Sequence, residues 1–288
     1  MLEIVIHALK HTVLESLKLL PFIFLVFLFL EYIEHKMNEK SHELIHKAGN
    51  FGPLIGSVLG AVPQCGFSAM ASNLYATRVI TLGTLVSIFL STSDEMFVIM
   101  LARADKSSIT KGLILISIKI IIALVVGFVI DFILKKKNVK ESERIHDFCE
   151  QEHCKCEHGV LRSAIHHTLR VIFFIFIVSL LLNFAIEYFG EEILAKLLLK
   201  NSIFAPVLAG VVGLIPNCAS SVIITEMYLS KAISFGSCLS GLLVGSGVGM
   251  LILFKVNRPM KKNIFIAFLV FLIGVSFGVI ADLIGISL

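Results

Sequence analysis

The sequence predicts an all-α polytopic membrane protein made of two inverted structural repeats. Each repeat carries a re-entrant helical hairpin and a broken transmembrane helix. Three observations predict this. The 288-residue chain is 57% hydrophobic and only 16% charged, more apolar surface than a soluble chain of this length can bury. Its apolar residues gather in runs at 13–30, 82–90 with 97–101, 109–134, 171–186, 203–215, 233–254 and 264–286. Several reach the ~20 residues that cross ~30 Å of hydrocarbon. The chain also matches itself when shifted by 153 positions. The short alternating segments of a β-barrel are absent.

The repeat is clearest where "GPLIGSVLGAVPQCGFSAMASNLYATRVITLG" (52–83) faces "APVLAGVVGLIPNCASSVIITEMYLSKAISFG" (205–236). Pro53 meets Pro206, Gly60 meets Gly213, Pro63 meets Pro216 and Cys65 meets Cys218. Tyr75 meets Tyr228, and the register runs on to Ser93 and Ser246. Upstream, His11-Thr12 aligns with His167-Thr168 after a small gap, and downstream "GFVID" (127–131) resembles "GVIAD" (278–282). The expected organisation is an N-terminal transmembrane repeat (1–134), a cytoplasmic His/Cys-rich linker (135–162) and a C-terminal transmembrane repeat (163–288).

Residues 203–215 give roughly 20 Å of helix, too short to span a bilayer, before Pro216 blocks continuation. Residues 51–62 and 67–76 are therefore read as two arms of a re-entrant hairpin with Pro63-Gln64-Cys65-Gly66 at its tip. Residues 203–215 and 219–229 form the second. A hairpin that returns to its own side leaves three crossings per half, an odd number, so the second half is inverted. With the linker in the cytoplasm, this arrangement puts 15 basic residues inside against 7 outside. A parallel arrangement, with each hairpin a single broken span, would push the Lys255–Lys262 cluster outside. The net charge of +4 is modest and lies between spans, which points to membrane orientation rather than nucleic acid. The first apolar run is long and lacks a small-residue cleavage site, so no cleavable signal peptide is expected.

Irregular backbone at membrane depth is tolerated only where protein buries it or a polar cavity receives it. Inverted repeats with discontinuous helices characterise secondary transporters, which bind substrate near the midplane. The expected substrate site therefore draws on the two tips: Pro63, Gln64, Cys65, Gly66 and Ser68, with Pro216, Asn217, Cys218, Ser220 and Ser221. It also draws on two breaks, Ser91, Thr92, Ser93, Asp94 and Glu95 in the first half and Ser246 in "LVGSGVGM" of the second, and on Glu226, the register partner of Asn73. Hydroxyls and bare carbonyls can ligate there, and an acid at membrane depth is a functional candidate by default. Thiolates at matched tips would select a soft metal or metalloid. The plainer reading of either cysteine is a small packing residue.

Of the six cysteines, Cys238 faces Leu85 across the repeat and is expected to pack. Three crowd the linker, where "HDFCEQEHCKCEHG" brings His146, Cys149, His153, Cys154, Cys156 and His158 within 13 positions. Such tracts bind soft ions: Zn, Cu(I), Cd or, through three thiols, As(III). A solvated linker is the alternative. His42 and His46, at i and i+4, fit a surface amphipathic helix better than a metal site. Lys119 is expected to snorkel toward the outer interface, and Asp131 and Asp282 to be ordinary interfacial carboxylates. Met96, Met100, Met227 and Met250 are expected to pack.

With these residues in view, the chain resembles the ten-transmembrane heavy-metal exporter family, relatives of the arsenic permeases. Some members are labelled arsenic efflux proteins or manganese transporters. The P-[QN]-C pairs, the "STSDE" break and the His/Cys loop carry the resemblance, which extends over nearly the whole chain. It implies a bacterial inner-membrane, multi-pass efflux permease with ten helical segments, its motif falling on Pro63, Cys65, Pro216 and Cys218. The expected substrate is a soft metal or metalloid ion such as arsenite or a divalent heavy metal. Manganese would instead use oxygens of Gln64, Asp94, Glu95 and Asn217. A small organic solute, with structural cysteines, and a membrane metal sensor are further alternatives. No phosphate loop, C-x-x-C pair or nucleophile–base arrangement is present, so no enzyme is expected. The partners expected are the ion and the bilayer, no nucleic acid, no required cofactor, and a homo-oligomer left open.

Overall fold

The computed structural model describes residues 51–62, 65–92, 96–102, 106–136 and 204–286, with a helically spaced subset of positions within 9–28 and 161–184. Among these residues all regular structure is helical. The first group of helices is α1 (Gly52–Gly60), α2 (Cys65–Ala76), α3 (Leu82–Ser91), α4 (Met96–Ala102) and α5 (Lys106–Lys136). The second is α6 (Ala205–Gly213), α7 (Cys218–Leu229), α8 (Phe235–Val244), α9 (Val248–Val256) and α10 (Met260–Leu283). The sequence register survives in the backbone: α1, α2 and α3 begin and end 153 positions before α6, α7 and α8.

Lipid and protein environments divide the helices. Ser108–Leu134, Phe235–Val256 and Met260–Leu283 are long and apolar enough to cross a membrane. The first and last bury only 28% of their apolar windows, and Ile121, Phe132 and Phe268 stand well exposed on them. Apolar side chains turned outward in this way suit a hydrocarbon solvent. Phe235–Val256 instead buries 83% of its window, and every residue of α3 and of α8 is buried. A helix that is apolar all round belongs inside. So α3 packs between α1 and α5, and α8 between α6 and α10. The groups also cross: α2 packs on α9, α7 on α4, and α3 on both α8 and α10. This is a multi-pass helical membrane protein.

The local devices recur with the sequence. Pro53 and Pro206 open α1 and α6, where a missing N–H costs nothing. Helices α2 and α7 end alike. Val79 N donates to Leu74 O (2.9 Å) and Arg78 N to Tyr75 O (3.0 Å), while Ala232 N donates to Met227 O (2.8 Å) and Lys231 N to Tyr228 O (3.0 Å). These are the paired bonds of a left-handed C-terminal turn. The left-handed residues are Arg78 (φ 62°) and Lys231 (φ 61°), at a cost of about 1 kcal/mol each relative to glycine.

Thr81 and Ser234 cap α3 and α8 by accepting from Thr84 N and Ser237 N, each at 3.1 Å. A carboxylate from the next long helix completes each cap. Asp131 accepts from Thr81 Oγ1 (2.6 Å) and Gly83 N (2.8 Å). Asp282 accepts from Ser234 Oγ (2.7 Å) and Gly236 N (2.8 Å). These acids therefore do more than sit at an interface. They neutralise the half-positive N-termini of the two central helices. The approach this needs leaves no room beyond glycine: a Cβ on Gly83 or Gly236 would lie 2.2 Å from Gly127 O or Gly278 O.

Three other expectations change. Helices α2 and α7 begin at Cys65 and Cys218, where the sequence reading began them at 67 and 219, so each cysteine opens a helix; a proline disfavours helix at the residue before it but not at the residues that follow. The first arms are 52–60 and 205–213, slightly shorter than the apolar runs. Lys119 does not snorkel; it is fully buried. The four methionines near the breaks and Cys238 lie in the core, as expected of packing residues. The linker 135–162 beyond Lys136 and the His42/His46 pair lie outside the described residues, apart from Leu161.

Gly83→Ala and Gly236→Ala should each lower the melting temperature of the solubilised protein strongly, because backbone must move. Gly112→Ala meets first only the flexible Met100 Sδ, at 2.9 Å, and should be tolerated. Fluorescence-detected thermal melts would check this; equal losses at all three would count against the packing described.

Candidate functional site

Two helix interruptions lie deep in the protein. In the first half, α3 stops at Ser91, and Thr92 leaves the helix at φ −50°, ψ 124°. In the second, α8 stops at Val244, and the chain turns through Gly245 and Gly247, the latter at φ 55°, ψ −144°. That region of backbone space is practically reserved for glycine. Ser91, Thr92 and Ser246 are all buried. Each interruption frees backbone carbonyls that the helix no longer satisfies.

The hydroxyls at these positions are aimed at the backbone. Ser91 Oγ donates to Ser87 O (2.9 Å), Thr92 Oγ1 to Ile88 O (2.7 Å) and Ser220 Oγ to Asn217 O (2.8 Å). With its proton committed to a carbonyl, each hydroxyl has only lone pairs to offer a ligand. That chemistry suits a cation better than an anion.

The two freed helix ends are joined by Lys119. Its Nζ donates to Leu242 O at 2.7 Å and to Thr92 O. Leu242 belongs to the last turn of α8, and Thr92 caps α3, so one carbonyl comes from each group of helices. Helix C-termini carry partial negative charge that a cation offsets. Burying an unpaired ammonium would cost several kcal/mol, and charge-assisted bonds offset that cost here. The register that pairs Asp131 with Asp282 pairs Lys119 with Val270, which is also fully buried.

Helices also meet across the two groups. Ser72 Oγ of α2 donates to Gly249 O of α9 at 2.6 Å. Ser68 lies against the same glycine, where a Cβ would come within 2.6 Å of Ser68 Cβ and 2.8 Å of its carbonyl oxygen. Ser68, expected to touch substrate, is thus part of a close helix crossing. The reciprocal contact is α7 on α4, immediately after the first break. Each arm that begins with a cysteine therefore packs beside the helix that follows the opposite half's break.

The remaining expected residues are placed as follows. Gly66 is buried, Pro216 is half-buried and Asn217 is buried, its O accepting from Ser220. Ser221 is half-buried and its O accepts from Thr225 Oγ1 (2.6 Å). Glu226 is half-buried on α7. Pro63, Gln64, Ser93, Asp94, Glu95 and the side chains of Cys65 and Cys218 lie outside the described residues, as do His146, Cys149, His153, Cys154, Cys156 and His158. Among the described residues no cluster of three metal-ligating side chains occurs.

Two residues enter that the sequence reading did not assign to the site. Lys119 is one. Asn73 is the other: it is buried, its Nδ2 donates to Ala69 O (3.0 Å), and its Oδ1 finds no partner among the described residues. An acceptor left this way costs about 1–3 kcal/mol. Its register match to Glu226 was the available signal.

Residues 1–203 match the family described as "Putative, 10TM heavy-metal exporter". The chain belongs to that family. The match ends just before α6, and the second group of helices lies beyond it. No curated protein and no solved structure matches the chain significantly. Family membership and the apolar spans agree on a membrane transporter of heavy metal.

Gly249→Ala should force α2 and α9 apart, because the clash is with backbone. We expect a lower melting temperature and loss of transport in vesicles. Ser72→Ala removes only a hydroxyl shared between Gly249 O and Ser68 O and should have the milder effect. A Gly249→Ala protein as stable as wild type would contradict the crossing.

Proposed function

We propose that the chain is a secondary exporter of the bacterial inner membrane that moves a soft metal or metalloid ion, such as arsenite or a divalent heavy metal. The observation that carries this reading is the pair of buried helix interruptions, each flanked by an arm that begins with a cysteine from the other half. A helix N-terminus favours negative charge, the form in which a thiol binds metal. Cys65 and Cys218 are the proposed soft ligands. Pro63, Gly66, Pro216, the amides Gln64 and Asn217, and the hydroxyls of Ser91, Thr92, Ser93, Ser220, Ser221 and Ser246 shape the remainder. Asp94, Glu95 and Glu226 supply charge. The two helix groups are proposed as inverted repeats, 1–134 and 163–288, with re-entrant hairpins 52–76 and 205–229. Transport by this scheme includes no catalytic step.

A second reading has its own support. Hydroxyls with committed protons, the Asn73 Oδ1 that has no partner among the described residues, and backbone carbonyls are all oxygen ligands. Such a set suits manganese, with Asp94 and Glu95 as anionic ligands and the cysteines as packing residues. The His/Cys tract from His146 to His158 is proposed to collect Zn, Cu(I), Cd or As(III) on the cytoplasmic side; deleting it should weaken export without abolishing it.

Cells expressing the chain, exposed separately to As(III), Cd²⁺, Zn²⁺ and Mn²⁺, should lower their content of one element, measured by mass spectrometry. If Cys65→Ser/Cys218→Ser abolishes the effect for a soft element, the thiols are the site. If only manganese responds and Asp94→Asn abolishes it, the oxygen reading holds. No change for any element would end the metal reading. For the inverted arrangement, cysteines placed at Thr110 and Lys261, both exposed, should label from opposite faces of the membrane. Labelling from one face would exclude it.

A further inference from the structure

The transport reading makes no use of Lys119. It is the largest charged side chain buried in the described residues, and it lies well inside the apolar span Ser108–Leu134. A lysine at this depth has a stem long enough to reach an interface, yet this one turns inward. Its ammonium donates to Thr92 O, the cap carbonyl of α3, and to Leu242 O, in the last turn of α8. These two acceptors are backbone groups. Both are carbonyls released by a helix interruption, and the two belong to different halves of the chain.

Carbonyl oxygens at interrupted helix ends are the ligands with which membrane proteins hold small monovalent cations. The ammonium resembles such an ion: compact, singly charged and satisfied by oxygen acceptors around it. The covalent stem is the difference, because a tethered ion never leaves and never has to be recruited. We propose that Lys119 is a built-in monovalent cation, filling a carbonyl site shared by the two interrupted helices and holding those helix ends together. Its place in the second half is taken by the apolar Val270, so among the described residues the lysine has no counterpart there. The transport consequence, which rests on the exporter reading, is that the wild-type protein needs no sodium or potassium at this position. The site itself does not depend on that reading.

The experiment uses purified full-length protein in nanodiscs. Melting temperatures of wild type, Lys119→Ala and Lys119→Gln would be compared in the chlorides of sodium, potassium, ammonium, methylammonium and choline at equal ionic strength. Wild type should melt alike in all five. Lys119→Ala should melt lower, and one or more small cations should raise it saturably by roughly 5 °C, while bulky choline does not. Lys119→Gln keeps N–H donors without charge, and should be destabilised like Lys119→Ala. The inference is overturned if Lys119→Ala is as stable as wild type, if it is destabilised but indifferent to all the salts, or if Lys119→Gln melts like wild type. Should Lys119→Ala yield no folded protein, Lys119→Gln decides alone: stability equal to wild type overturns the inference, and loss of stability together with loss of charge supports it. Metal efflux measured separately keeps the two readings apart. A cation-responsive variant of a protein that moves no metal would leave this site standing and remove the exporter reading; the reverse result would do the opposite.

Discussion

A backbone group inside a membrane must be satisfied by protein, because no water is there to do it. A continuous helix meets this demand by itself. A chain that interrupts its helices in mid-membrane has to find a partner for each group it frees, and much of this protein's sequence is occupied with supplying them. Asp131 and Asp282 reach back from α5 and α10 to the starts of α3 and α8. Lys119 answers carbonyls at their ends. Ser91 and Thr92 fold their hydroxyls onto the preceding turn. The two innermost helices are therefore short, apolar on every side and closed by charge at one end or both.

The closure is symmetric at one end and not at the other. At the N-termini the same acid, hydroxyl and glycine recur at register-related positions, with distances matching to 0.1 Å. At the C-termini one half has Thr92 followed by "SDE" and the other has glycines. A lysine serves both. The two groups of helices thus share a scaffold and differ in the chemistry at the ends of their central helices.

Much of this was legible in the sequence, for reasons that can be located. The spans were visible because a lipid-facing helix has few alternatives to apolar side chains. The helix boundaries within each group were visible because Pro53, Pro63, Pro206 and Pro216 recur in register, and proline has a strong local effect on the backbone. What sequence could not give was direction in space. Asp131 lies 48 positions from Gly83, and an isolated aspartate near a helix end looks the same whether it meets water or caps another helix. The pairing of Thr81 with Ser234 and of Asp131 with Asp282 was in the repeat, but it becomes a cap only once α3 and α5 are known to touch. Lys119 failed in the same way: its depth was readable, its direction was not.

The cysteines show how a shift of two residues changes a chemical argument. Read as members of a tip, Cys65 and Cys218 would be loop residues free to wrap an ion. They are found at the first position of α2 and α7, where the backbone N–H groups of a helix are unpaired. The neighbours of α2 and α7 then matter. Each is held by the post-break helix of the opposite half, α2 by the Ser72–Gly249 bond and α7 by its packing on α4. Any movement of one half against the other must carry a cysteine-bearing helix end relative to the break in its own half. The start of each cysteine-bearing helix and the packing between the halves are in this way parts of one mechanical element.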